Sequence, residues 1–255
     1  MRVILIPGWN EGADGMDVFI RGRGRRPGLE AAGFDCTTFD GGTGSLRSRI
    51  GQFAGFLSDL GSKSRGEKVA LFGYSAGGII ARGLLRAYPR SRVAAIFQLA
   101  TPNAGLVTED PWSSFRRLHF DGDVIDDLDI ESPFMRWLNG TGGHWENDAA
   151  NRTKRWRLNA KPWTMVENVP LLNLIGSVPR YRSRSDGVVR VESGSLDDYI
   201  PCEVINAKNA NHLNLGGTWN PLTLVLRAWR RDDVLWPQAV AASTQLFRRA
   251  QRPVE

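Results

Sequence analysis

Cysteine is scarce in this chain: Cys36 and Cys202 are the only two in 255 residues, and they stand far apart. Their scarcity excludes a disulfide framework and every Cys-based zinc or redox spacing, and it fits a reduced compartment. Histidine is almost as rare, with His119, His144 and His212 the full set. Long apolar runs are missing as well. The first run, 3–6, is four residues long and meets Pro7-Gly8 at once, so it reads as a core strand and its turn, not as the apolar region of a signal peptide. No run approaches the roughly 18 apolar residues a membrane span needs. The expectation is a soluble, cytoplasmic protein. A nucleotide loop is also lacking: Pro27 and the absence of a Gly-Lys-Ser/Thr ending break both the dinucleotide and the P-loop spacing in the Arg-Gly-rich stretch 21–28.

Excess acid is absent too. The net charge is +6, carried mostly by arginine and clustered at Arg21, Arg23, Arg25 and Arg26; at Arg152, Lys154, Arg155 and Arg157; at Arg180, Arg182 and Arg184; and at Arg248, Arg249 and Arg252. Such patches can attract lipid headgroups or nucleic acid. No nucleic-acid motif accompanies them, so a solvated basic surface is the simpler reading and no nucleic-acid partner is expected. Peripheral contact with an anionic membrane surface stays open, as does the oligomeric state.

What is present is enough apolar residue, 42%, to bury the core of one large α/β domain spanning 1–255. Six short apolar runs, 3–6, 34–39, 69–72, 93–99, 171–175 and 203–205, recur with turns and helical patterns between them, the signature of a mostly parallel six-stranded sheet flanked by helices. Leu46, Ile50, Phe53, Leu57 and Leu60 repeat at steps of three and four, with Ser45 placed as N-cap and Gly61 as the stop. The stretch 103–168 breaks the rhythm. It holds Trp112, Trp137, Trp145, Trp156 and Trp163 and no clear strand, which reads either as a cap over a pocket or as an insertion packing its own small core.

The most informative residues are Gly73-Tyr74-Ser75-Ala76-Gly77. They lie between the strand pattern ending at Phe72 and a helical pattern running from Ser75 to residue 88, the context of a nucleophile elbow. In such a turn a serine is held in a cramped conformation with its hydroxyl exposed, and the flanking glycines avoid collision between strand and helix. A serine hydroxyl needs a base, and the base needs an orienting carboxylate. His212 follows the last predicted strand at the edge where the serine emerges, whereas His119 and His144 lie in the insertion. Asp186 follows the fifth strand, completing the chain order serine, acid, histidine. Asp197 and Asp198 are its nearest rivals, and an ordinary Asp-Gly turn is its plainer reading. Oxyanion donors are expected from the backbone of Ala76 and from Trp9, in the glycine turn after the first strand. Tyr74, Trp112 and Trp137 are the candidate substrate contacts.

Together with Leu5-Ile6-Pro7-Gly8, Leu99-Ala100-Thr101-Pro102-Asn103-Ala104-Gly105, the segment 128–139 and Ser185 to Val189, the elbow makes the chain resemble the α/β-hydrolase superfamily. Within it, the chain is similar to the bacterial lipases and esterases that include inositol-deacylase-like and small triacylglycerol-lipase-like proteins. The resemblance spans roughly 3–215. It implies Ser75 as nucleophile, Asp186 as acid, His212 as base, and no metal or organic cofactor. Two departures stand out: Pro7 and Asn103 occupy positions where such lipases usually carry histidine, changes expected to bear on substrate preference and not on the triad. The superfamily's usual first two strands are missing, which implies a compact six-stranded version. The expected activity is hydrolysis of a carboxylic ester through an acyl-enzyme, on a small-molecule or lipid ester. A thioesterase or acyltransferase would use the same triad, and a non-catalytic acyl-binding module would use the same cleft. Arg180, Arg182 and Arg184, close to Asp186, would suit an anionic group on the substrate.

Overall fold

Three central strands, Arg2–Ile6 (β1), Val69–Tyr74 (β5) and Val93–Leu99 (β6), are buried along nearly their whole length, which is why each reads as a continuous apolar run and not as an alternation. The computed structural model describes residues 1–8, 12–63, 67–106, 122–148, 153–164, 169–177, 185–186, 188–206 and 235–252. After β1 the chain forms a short helix, α1 (Asp17–Arg21), and a two-residue-stranded hairpin, β2 (Gly22–Arg23) and β3 (Arg26–Pro27), before the strand β4 (Asp35–Thr38). Helix α2 (Leu46–Lys63) leads to β5, and α3 (Ala76–Ala87) leads from β5 to β6. Two short helices, α4 (Gly122–Leu128) and α5 (Pro133–Asn139), precede a second hairpin, β7 (Gly143–Asp148) and β8 (Thr153–Leu158). The strand β9 (Leu171–Ser177), the helix α6 (Val191–Ser195), the strand β10 (Cys202–Asn206) and the helix α7 (Leu235–Gln251) follow.

One six-stranded sheet organises these elements in the order β10-β9-β6-β5-β1-β4, and every neighbouring pair is parallel. Alternate residues of a strand point to opposite faces, so the sheet divides the core into two layers. Ile4, Ile6, Leu71, Ile96 and Ile175 face the layer built with α2, α3, α4 and α5. Val3, Leu5, Phe72, Phe97 and Leu174 face the layer closed by α1 and α7.

The six expected strands are all present, most of them longer by a residue or more at one end. Helix α2 starts as its sequence indicates: Ser45 Oγ accepts from the Ser48 amide at 3.3 Å, and Asp127 Oδ2 accepts from the Leu46 amide at 2.7 Å. It does not stop at Gly61 but continues to Lys63; a glycine weakens a helix without ending it. The stretch 103–168 contains a strand pair after all. Hairpin β7–β8 is antiparallel and pairs Trp145 with Trp156 across the strands, their rings 5.1 Å apart and nearly perpendicular. Both rings, with Trp137 and Trp163, pack against the α2/α3 layer of the core. Gly143 makes the close pairing feasible, since a Cβ there would lie 2.5 Å from the Trp156 ring.

Candidate active site

Ser75 occupies the one-residue corner between β5 and α3, with φ 51° and ψ −121°. For a residue with a Cβ this is sparsely populated backbone, costing about 1–3 kcal/mol, and it persists only where the surroundings hold it. They do so from three sides. The Ser75 amide donates to Leu99 O at 2.8 Å, and Ser75 O accepts from the Gly78 amide and from Thr101 Oγ1, each at 3.1 Å. The glycines of the elbow answer to steric need. A Cβ on Gly73 would lie 2.5 Å from the Gly78 backbone, one on Gly77 would collide with Ile6 O and lie 2.6 Å from Pro7 O, and one on Gly78 would run into the Thr101 side chain. The first turn of α3 therefore rests directly on the end of β1. Its leading amides, that of Ala76 among them, belong to the helix N-terminus, where N–H groups have no intrahelical partner and the helix dipole favours negative charge.

Asp186 is 1% exposed. Its Oδ1 accepts from the amides of Val188 at 2.9 Å and Val189 at 2.7 Å, while its own amide donates to Val189 O at 3.1 Å. The turn thus fixes the carboxylate through Oδ1. The rival carboxylates sit differently. Asp197 lies 3.7 Å from the Arg157 guanidinium, and Asp198 is exposed. His144 stands on the exposed face of β7, hydrogen-bonded to Asn159 at 2.8 Å and to Glu146 at 3.2 Å, contacts that raise its pKa and engage both ring nitrogens. His212, Trp9, Trp112, His119 and the arginines 180, 182 and 184 lie outside the described residues. Of the remaining candidate contacts, Tyr74 is 2% exposed in the α1/α7 layer. Trp137 packs on Phe134, with the Arg47 guanidinium 4.5 Å from its ring centroid.

A buried polar web supports this edge of the sheet. Gln98 and Asn173 lie within the strands β6 and β9 and are both fully buried. Asn173 Nδ2 donates to Thr101 O at 3.0 Å and to Gly194 O at 3.1 Å, so the loop after β6, whose Thr101 holds the serine carbonyl, is tied to α6. Asn103 is 0% exposed: its Nδ2 donates to Gln98 Oε1 and Gly194 O, both at 2.8 Å, and its Oδ1 accepts from Gln98 Nε2 at 3.1 Å and from Arg82 at 3.2 Å. Every polar atom of that side chain is therefore engaged inside the protein. Arg82 is fully buried on α3. Its two terminal nitrogens donate to Asn103 O and Oδ1, Asn139 Oδ1 and Trp163 O at 3.0–3.2 Å, while its Nε has no hydrogen-bond partner among the described residues. Burial, with neighbouring Arg86 as the lesser cause, pushes the guanidinium down to about 9. The web carried a sequence signal that went unused: single polar residues, Gln98, Asn173 and Arg82, inside otherwise apolar strands and an apolar helix.

The architecture is that of the α/β hydrolases. No protein-family profile matches the chain, and no curated protein matches it by sequence. Solved structures do resemble it. A lipase of Bacillus licheniformis, BlEst2 in its mature form, aligns over 88% of this chain and 91% of its own with a TM-score of 0.59 at 17% identity. The metagenomic carboxyl esterase MGS0156 aligns over 98% of this chain and 76% of its own with a TM-score of 0.61 at 14% identity. Phospholipase PlaB of Legionella pneumophila aligns over 98% of this chain and 64% of its own with a TM-score of 0.59 at 15% identity. Among the described residues no helix is long and apolar enough to cross a membrane.

Proposed function

We propose that this chain is a serine hydrolase that cleaves carboxylic esters through an acyl-enzyme on Ser75. The observation that carries the reading is the backbone of Ser75 itself: a strained, positive-φ serine at a strand-to-helix corner, clamped by Leu99 and Thr101 and flanked by glycines where any Cβ would collide with neighbouring atoms. In the reaction, Ser75 Oγ attacks the ester carbonyl while His212 takes its proton. The tetrahedral oxyanion is held by the amides of Ala76 and Trp9 until it collapses, and the alcohol leaves with the proton from His212. Water, deprotonated by the same imidazole, attacks the acyl-enzyme; the second collapse releases the acid and returns the proton to Ser75. Asp186, fixed by the two turn amides, orients the imidazole and stabilises its charged form. The lipase, the esterase and the phospholipase that share the fold support an ester as substrate.

The test combines a fluorophosphonate probe with p-nitrophenyl acetate, octanoate and palmitate. Labelling and turnover are expected in the native protein, and Ser75→Ala is expected to abolish labelling and to lower kcat by roughly four orders of magnitude or more. Labelling that persists in Ser75→Ala refutes the assignment, and a protein that binds acyl ligands without turnover is a binding module. Faster turnover of acyl thioesters than of the matching oxygen esters would make it a thioesterase.

A further inference from the structure

A cavity lies at the opposite edge of the sheet from Ser75. It is lined by Arg2 and Val69, the first residues of β1 and β5, by the last turns of α2 and α3, and by the turn that leads into β6, and it encloses about 480 Å³. That volume falls within the about 300–1,000 Å³ of ordinary small-molecule sites. The six residues of β5 separate it from the nucleophile by roughly 20 Å. Its floor is apolar, formed by Leu57 and Leu60 of α2, Leu84 of α3 and Val69. Its rim is cationic. Arg2 is paired with Asp35 at 2.8 Å, and Glu67, the carboxylate on the rim, lies 3.6 Å from the amino group of Met1. Arg90 and Arg92 are both exposed, and among the described residues neither guanidinium has an ion-pair partner.

We infer that this cavity binds a single-chain amphiphile with an anionic head: the chain along Leu57, Leu60 and Leu84, the head between Arg90 and Arg92. Each part answers a separate feature. Apolar floor area favours an alkyl chain, and two guanidinium groups without ion-pair partners among the described residues favour a carboxylate or phosphate over a cation. The site is independent of the chemistry at Ser75, and its occupancy does not rest on the proposed ester hydrolysis.

The experiment is calorimetric titration of the whole protein, below micellar concentrations, with decanoate, decyl phosphate, decanol and decyltrimethylammonium. Decanoate or decyl phosphate is expected to bind, the one that binds tighter identifying the head, and decyltrimethylammonium is expected not to. Arg90→Glu with Arg92→Glu, a change confined to exposed side chains, is expected to weaken binding roughly tenfold. Leu60→Glu is expected to weaken it by a similar factor through the floor. Equal binding of the cationic and anionic amphiphiles, unchanged affinity in the arginine double variant, or loss of binding only when the fluorophosphonate occupies Ser75 would each overturn the inference. So would failure of both anions to bind the unmodified protein.

Discussion

Arg82 shows how one residue can join α3 to segments distant in the chain. Its guanidinium fork reaches four oxygen acceptors on the loop after β6, on α5 and beyond the β7–β8 hairpin, all without leaving the interior. Removing it strips partners from buried carbonyl and amide oxygens, which costs more than the hydrogen bonds alone. Arg82→Met is therefore expected to lower unfolding free energy by about 3 kcal/mol or more, read from the urea midpoint. Arg82→Lys should recover part of the loss, because it keeps the charge but presents one nitrogen where the fork presents two. An unchanged midpoint in Arg82→Met would show that the web holds without its centre. Residues of this kind were the least legible in the sequence. Gln98 and Asn173 are polar positions in apolar runs, but their partners come from segments distant in the chain, and spacing alone does not bring Asn103 and Asn139 together. The corner at Ser75 and the turn at Asp186 were legible, because both are set by neighbouring residues.

At the scale of elements, the contact between α3 and β1 is set by the absence of side chains at the elbow. Gly77 lies so close to Ile6 O and Pro7 O that any Cβ must push the helix off the strand. Gly77→Ala is expected to cost about 1–3 kcal/mol in stability and to slow fluorophosphonate labelling at Ser75 by more than the stability loss explains, checked by comparing labelling rates at temperatures where both proteins are fully folded. Equal rates would show that the elbow tolerates a shifted helix. The strands of the central sheet were readable because parallel strands buried on both faces leave unbroken apolar runs. The β7–β8 hairpin was not, since charged residues surround a single tryptophan pair. Helix α7 also escaped notice, although Trp236, Ala239, Val240, Ser243 and Phe247 recur at helical steps and are all buried; alanine and serine dilute the apolar pattern.

Across the whole molecule, the sheet separates two cores that share strands but no helices. One is built from α2, α3, α4 and α5; the other depends on α7 to cover Phe72, Phe97 and Leu174. Phe247, fully buried and edge-on to Phe34 at 5.9 Å, is one of the anchors of that cover. Phe247→Ala is expected to cost about 3–5 kcal/mol, measured by urea denaturation, and to leave the labelling rate of the remaining folded protein unchanged, because the lost ring lies on the face away from α3. A labelling rate that fell in step with stability would show that the two layers are coupled through the strands.

The cramped corner at Ser75 means that, on the proposed function, the chain sacrifices robustness to hold a serine there. Glycine accepts φ near 51° without penalty, so Ser75→Gly is expected to melt higher than the native protein, by about 1 kcal/mol in stability, while losing all reactivity toward the probe. A laboratory lineage selected for heat tolerance alone would then be drawn toward glycine at that position, and only continued demand for turnover would keep the serine in place.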